Sequence, residues 1–291
     1  MPRSYSIPLP DGRTLTLGDR TLVMGIVNVT PDSFADAGRL FDPARAIEAA
    51  LAMVAEGADL LDIGGESTRP GASDVPADEE RARAIPVVEA VARQVSVPVS
   101  IDTSKASVAA AALDAGASIV NDVSALQFDP GMGPLVASRR AAVVLMHMRG
   151  RPRDMQQHAQ YLSVVAEVAG ELAARIDAAG RAGIAREAII LDPGIGFAKR
   201  AEHSATLLAR LDATPLARLG RPWLVGPSRK SFLASAIGDV PPQERDWATA
   251  AAVTAAVLAG AHIVRVHRVT EMVQVARVAD MIRAARAGAT P

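Results

Sequence analysis

Side chains able to bind or polarise a ligand recur at the ends of short apolar runs in this chain. Asn28 lies in the run 22–29, Glu66-Ser67-Thr68-Arg69 follows the run 60–64, and Asp102 ends the run 99–102. Asn121-Asp122 ends 119–122, His147 ends 142–147 and Asp192 ends 189–192. Ser228-Arg229-Lys230-Ser231 follows 223–226, and Arg265 and His267 lie within 263–267. A carboxylate can accept two parallel donors from a flat ligand edge. Arg265 and His267, two apart on an extended segment, present their side chains to one face and could hold an anion there with the Asn28 amide. An Asn carbonyl and the oxygens of such an anion also make a reasonable magnesium shell. No Ser/His/Asp triad or base-activated nucleophile is evident. With no cysteine in the chain, thiolate nucleophiles, disulfides and cysteine-ligated zinc are excluded. Binding, orientation and electrostatic stabilisation are the chemistry these residues suit.

The elements that must position them are legible as a repeat. Eight apolar runs (22–29, 60–64, 99–102, 119–122, 142–147, 189–192, 223–226 and 263–267) alternate with Ala-rich segments that read as helices beginning near Pro43, Asp78, Lys105, Met132, Leu162, Ala201, Arg245 and Thr270. Continuously apolar strands, each followed by a helix, suit a parallel sheet buried on both faces. Closing that sheet removes its edges and gives an α/β fold, a (β/α)8 TIM barrel, with an open doubly wound sheet as the alternative. Residues 5–19, with a turn at Pro10-Asp11-Gly12, read as a short N-terminal β-hairpin within 1–20. No linker interrupts residues 1–291, so one barrel domain is expected. In a barrel all eight strand ends meet on one face. Loops are wet and carry polar residues anyway, but that explains only one or two of these positions.

The formal net charge is −1, from 31 basic and 32 acidic residues. It offers no case for nucleic acid or an anionic membrane as partner. The longest uncharged run, 248–264, is Ala-rich and broken by Thr and Gly, which suits a buried helix and strand rather than a membrane span. With no signal-peptide stretch at the N-terminus, a cytoplasmic location is expected.

The motifs resemble those of a known family. Asn28-Val29-Thr30-Pro31-Asp32-Ser33-Phe34 and Gly64-Gly65-Glu66-Ser67-Thr68-Arg69-Pro70-Gly71 resemble the two signatures of the dihydropteroate synthases, which belong to the pterin-binding enzymes. Ile101-Asp102-Thr103-Ser104-Lys105, Asn121-Asp122, Leu145-Met146-His147-Met148, Asp192-Pro193-Gly194-Ile195-Gly196-Phe197, Ser228-Arg229-Lys230-Ser231-Phe232 and Arg265-Val266-His267 resemble the rest, in the family's order, from about residue 20 to about 285.

The resemblance implies condensation of a dihydropterin pyrophosphate with p-aminobenzoate, with Mg2+, sulfonamides as competitors, and a homodimer. It implies pterin contacts from Asp102, Asn121, Met146, Asp192, Phe197 and Lys230. The pterin edge carries an amino group beside a ring N–H, which Asp192, held extended by Pro193, can accept together. Asp192 and Asp102 have the alternative of capping the helices that follow them. Asn28, Arg69, Arg265 and His267 are expected at the pyrophosphate, with Asn28 also at the metal. Phe34, Thr68, Pro70, Phe197, Lys230 and Ser231 border the aminobenzoate, and Met146 and the Phe residues have the alternative of filling small cores. The polar loops 30–40 and 67–75 read as lids that bring in Asp36 and Arg69 for catalysis. A dissociative substitution is expected, with direct displacement as the alternative.

Three positions depart from the family pattern: Ala37 stands where Gly is usual, Ser204 where Asn is usual, and Arg268 where Asp is usual, placing a positive charge beside the anion site. A corrinoid methyltransferase of the related barrel type is the nearest rival, and Ser67-Thr68-Arg69-Pro70 with Arg265-Val266-His267 argues against it. A non-catalytic paralogue that binds pterin as a regulator is the second. The small residues of 248–261 and the stripe Met272, Val275, Val278 and Met281 suit packing against a second copy or against the barrel.

Overall fold

A computed structural model of the chain describes residues 3–30, 42–69, 71–286 and 288. Strands β1 (Tyr5–Pro8) and β2 (Thr14–Leu17) form an antiparallel hairpin. Strand β3 (Leu22–Asn28) then opens the repeat. It leads to α1 (Pro43–Ala55), β4 (Leu60–Gly64), α2 (Ala77–Ala92), β5 (Val99–Asp102) and α3 (Ala106–Asp114). The chain continues through β6 (Ile119–Asp122), α4 (Met132–Arg139), β7 (Ala142–Met146), α5 (Val164–Arg181) and β8 (Ile189–Asp192). Helix α6 (Ala201–Ala209) and the short α7 (Thr214–Ala217) precede β9 (Leu224–Val225). The short α8 (Ala234–Ile237) and α9 (Asp246–Leu258) precede β10 (Ile263–Val266), and α10 (Val269–Arg286) follows it.

The eight strands β3–β10 pair in parallel in the order β8-β7-β6-β5-β4-β3-β10-β9. A parallel bridge between Leu191 and Trp223, with Leu191 N donating to the Pro222 carbonyl at 2.9 Å, joins the two ends. The sheet is therefore a closed (β/α)8 TIM barrel, and the open doubly wound alternative is set aside. The β9 run is shorter than the sequence suggests. Trp223 N donates to His262 Nδ1 at 3.1 Å rather than extending a ladder.

Alternation along the strands sorts the barrel into two chemistries. Outward residues such as Val23, Leu61, Ile63, Val120, Val143 and Val264 pack under the helices. Inward residues of the N-terminal half, among them Leu22, Met24, Leu60, Ile119, Val144, Ile190 and Ile263, form one apolar cluster with Ile7, Leu9, Leu15 and Leu17 of the hairpin. The hairpin is thus a plug that finishes the barrel core at its N-terminal mouth. Most inward residues of the C-terminal half are polar: Asp62, Ser100, Asp102, Asn121, Asp192 and Arg265, with Met146 and Ile26 apolar among them. Among the described residues no helix is long and apolar enough to cross a membrane.

Candidate active site

The centre of the polar half is a guanidinium. Arg265 on β10 donates from Nε to Asp62 Oδ2 at 2.6 Å and from Nη2 to Asp102 Oδ2 at 2.9 Å. Asn121 Nδ2 donates to the same Asp62 oxygen at 2.9 Å. Three strands and β10 are thereby tied across the barrel interior. Burial pushes the Asp102 carboxyl up, and the Arg265 charge opposes it. The flanking Asp62 and Asp102 carboxylates help hold the Arg265 guanidinium above its ordinary value although burial pulls it down. Asp62 Oδ1 and Asp102 Oδ1 are buried without a hydrogen-bond partner among the described residues. Such atoms are costly unless a donor arrives.

Around this centre the structure gathers most of the expected pterin set. Asp192 is buried at the end of β8, and its Oδ1 accepts from Gly194 N at 2.7 Å. The helix-cap alternative does not hold: Arg200 and Lys105 occupy the N-cap positions of α6 and α3, and Asp129 rather than Asp102 accepts from Ala106 N. Burial pushes Asp192 up to about 6 despite that bond and the charge of Lys230. The Lys230 ammonium lies 3.8 Å from the centroid of the Phe197 ring, a cation–π contact. Burial and the nearby Arg265 lower Lys230 to about 8. Phe197 and Met146 share an apolar cluster with Val123, Met148 and Met155, so each borders the mouth and also packs a satellite core.

Of the expected anion residues, Asn28 and Arg265 lie on the neighbouring strands β3 and β10, with His267 just past β10. Arg265 is not free as the sequence suggested, because two of its donors already serve carboxylates. His267 Nδ1 pairs with Ser228 Oγ at 2.8 Å, and Ser228 Oγ also accepts from His267 N at 3.3 Å. The Ser228 hydroxyl, with one donor and two lone pairs, can serve both contacts with either tautomer of His267. Burial and the surrounding cations lower His267 to about 3, so it is a neutral donor at pH 7. Asn28 ends β3 beside Gly64 and is half-buried. Arg268, just before α10, is exposed and paired with Glu271 of that helix's first turn. Ser204 is fully buried and its hydroxyl accepts from Gly196 N at 3.2 Å. Ser231 is exposed and begins a 3-10 turn, Thr68 is half-buried, and Arg69 is exposed. Phe34, Asp36, Ala37 and Pro70 lie outside the described residues.

The segment 67–75 is anchored at its ends. Glu66 Oε1 accepts from Val75 N at 2.6 Å, and Glu66 Oε2 accepts from Lys105 Nζ at 2.8 Å. Lys105 also bonds Glu80 at 2.6 Å, a residue with no solvent exposure. Sequence reading missed Asp62, Lys105 with Glu66 and Glu80, and a buried cluster around Lys199. Only Asp62 had a local signal, a lone carboxylate inside Leu60-Leu61-Asp62-Ile63-Gly64.

Comparison with known proteins agrees with this geometry. The pattern of the pterin binding enzyme family matches residues 24–267. A dihydropteroate synthase of Synechocystis sp. is 48% identical over 266 residues, 91% of each chain. The structure of Xanthomonas albilineans dihydropteroate synthase with 4-aminobenzoic acid matches with a TM-score of 0.89 at 45% identity, over 97% of this chain and 99% of that one. Yersinia pestis dihydropteroate synthase in a sulfonamide drug complex matches with a TM-score of 0.89 at 41% identity, over 96% and 99%.

Lys105→Met should expose how the 67–75 segment is anchored. Breaking a buried ion pair by removing one partner costs about 3–5 kcal/mol, read by urea unfolding. Burial already raises Glu80 above the ordinary carboxylate value, with Lys105 opposing it, and losing the ammonium raises it further. A raised folded-state value means stability present at acid pH and lost as pH rises. The deficit of Lys105→Met should therefore be smaller at pH 5 than at pH 8. A pH-independent deficit would show that Glu80 is not the group left uncompensated.

Proposed function

The chain belongs to the pterin binding enzyme family and has dihydropteroate synthase function, a transferase activity of folate biosynthesis, and we propose how its site performs that reaction. The observation that carries the reading is the convergence of Asp102, Asn121, Asp192, Lys230 and Arg265 at one barrel mouth, with a buried acceptor at Asp102 Oδ1 still lacking a donor. A dihydropterin edge, with its amino group and ring N–H, supplies donors to Asp192, while Asp102 and Asn121 meet other ring atoms and Lys230 donates to a ring acceptor. Phe197 and Met146 border the ring, and Phe197, Thr68, Lys230 and Ser231 border the aminobenzoate, together with Phe34 and Pro70.

The pyrophosphate end of the dihydropterin pyrophosphate lies toward Asn28, Arg265 and His267, with Arg69 from the second loop. Arg265 supplies fixed positive charge and His267 a neutral N–H, both aimed where charge develops on the leaving group. The described residues contain no cluster of three carboxylate or imidazole groups able to hold a metal. Asn28 contributes one neutral oxygen, which fits magnesium brought in mainly by the substrate's own phosphate oxygens. The chemistry that ion supplies is neutralisation of the departing charge. The C–O bond to pyrophosphate breaks first, the pterin carries the developing positive charge, and the arylamine nitrogen then forms the new C–N bond and gives up a proton to solvent. Asp36 and Arg69 are the catalytic residues of this proposal.

The absence of cysteine suits a reducing, cytoplasmic setting. The α10 stripe divides in two: Met272 and Val275 pack toward the barrel, while Val278, Met281 and Ile282 stay exposed. These exposed apolar residues support a homodimer through α10.

Pyrophosphate release, followed in purified protein, should require both substrates and stop when magnesium is chelated. A sulfonamide should raise the KM for p-aminobenzoate without changing kcat. Pterin binding without any pyrophosphate release, with magnesium present, would favour the regulator reading instead.

Asp192→Asn keeps the volume but offers one acceptor and one donor to two ligand donors. Pterin affinity should fall about 10- to 100-fold, as for a lost charged hydrogen bond of about 1.5–3 kcal/mol. The wild type should also lose affinity as pH falls through about 6, where Asp192 gains its proton, and Asp192→Asn should lack that acid limb. Unchanged calorimetric affinity in Asp192→Asn would remove Asp192 from the pterin site.

A further inference from the structure

The turn that follows β8, 192–198, forms one wall of the mouth and is conformationally unusual. Gly194, Gly196 and Ala198 all have left-handed backbones, with φ of +69°, +80° and +47°. Ala198 is the telling one, because a Cβ disfavours that region. At Gly194 the turn passes so close to the end of β7 that an added Cβ would lie 1.9 Å from the His147 carbonyl oxygen. Something must hold the chain in this shape.

Lys199 stands at the end of the turn and is only 3% exposed. Its Nζ lies 2.8 Å from His147 Nδ1, 3.0 Å from the Phe197 carbonyl and 3.3 Å from the His147 carbonyl. An ammonium has three protons, and three acceptors surround it. Two belong to the residue that ends the β7 run and one to the turn, so a single cation staples the two segments. His147 N adds a bond to the Asp192 carbonyl at 2.9 Å.

The acceptor on His147 is itself fixed. With Nδ1 taking a proton from Lys199, the imidazole carries its own proton on Nε2 and donates to Glu171 Oε2 of α5 at 3.0 Å. Burial and the Lys199 charge keep this imidazole neutral, down to about 4. Glu171 also accepts from Arg149, whose guanidinium lies 4.1 Å from the Tyr161 ring centroid. Tyr161 Oη donates to the Ala198 carbonyl at 3.0 Å. The path Lys199, His147, Glu171, Arg149, Tyr161 thus leaves the turn at Lys199 and returns to it at Ala198.

What the turn presents to the mouth is the Phe197 ring, 3.8 Å from the Lys230 ammonium, and Gly196, against which the Lys230 stem lies. We infer that Lys199 is a positioning residue: by stapling the 192–198 turn to the end of β7 it holds Phe197, and through it Lys230, where they meet the pterin. The inference rests on the pterin-site reading above. A buried ammonium is a poor choice for stability alone, since burial pulls Lys199 down to about 7 and an apolar side chain of similar volume is often no less stable there.

The test is Lys199→Met, which keeps length and volume and removes the three donors, with Tyr161→Phe at the other end of the path. Two readouts are taken on the full chain: steady-state kinetics with the two substrates, and amide hydrogen exchange resolved over 194–199. Lys199→Met should raise the KM for the dihydropterin pyrophosphate about tenfold, the effect of roughly one lost hydrogen bond. The KM for p-aminobenzoate, which Phe197 and Lys230 also border, should rise in the same direction, while kcat stays within about twofold of the wild type. Exchange over 194–199 should quicken while the strands β3–β6 keep their protection. Tyr161→Phe should move both readouts the same way by a smaller factor, and it decides alone if Lys199→Met does not fold. Wild-type pterin KM together with wild-type exchange in these variants would overturn the positioning role. If the wild type itself shows no use of pterin, the function reading fails, and the exchange data still decide whether Lys199 holds the turn.

Discussion

The bond pair from Arg265 to Asp62 and Asp102 is the constraint around which the mouth is arranged. Burying carboxylates inside a barrel is prohibitive unless a cation shares the space. Arg265 is that cation, and because two of its five donors are bound to carboxylates, it cannot wander toward a ligand on a flexible stem. It acts instead as a fixed field. Lys230 and His267 then differ in kind, one an ammonium held over the Phe197 ring and the other a neutral imidazole paired with Ser228. Such preorganised groups stabilise developing charge without reorganising during the reaction.

That arrangement needs a closed barrel. Asp62, Asp102, Asn121 and Arg265 come from four strands, and only closure brings β10 across from β5 and β6. It also needs an interior that is apolar below and polar above. The hairpin supplies part of the lower half, with Leu15 and Leu17 filling the space that strand residues leave open. A polar layer resting on a water-accessible floor would lose much of its electrostatic strength. Core packing at one end of the barrel and ligand chemistry at the other are in this sense one design.

Most of the fold was legible in the sequence, for reasons that also explain the gaps. Strand runs 60–64, 99–102, 119–122 and 189–192 match the observed strands at both ends, because doubly buried parallel strands are continuously apolar and end abruptly at a polar residue. Helix starts at Pro43, Met132 and Ala201 match as well. The run at 223–226 shrank to Leu224–Val225 since Trp223 found a side-chain acceptor on His262, a partner 39 residues away that no local pattern reveals. Asp62 was passed over for a similar reason: its meaning comes from Arg265 and Asn121 on other strands. Lys199, between Ala198 and Arg200, looks like one more solvated charge until the turn is seen to fold it inward. The α10 stripe was half right, as Met272 and Val275 cover the barrel while Val278 and Met281 do not.

Asp62, which has no solvent exposure, fixes Arg265 and Asn121 and through them the pterin site. Calorimetric titration of Asp62→Asn with the pterin substrate, beside a thermal unfolding scan, tests that role most directly. The variant should fold, with pterin affinity lowered about tenfold or more, since charged hydrogen bonds of about 1.5–3 kcal/mol are lost from groups that hold the ligand residues. A folded Asp62→Asn protein with wild-type pterin affinity would contradict that role, and Arg265 would then be positioned by something other than the Asp62 carboxylate.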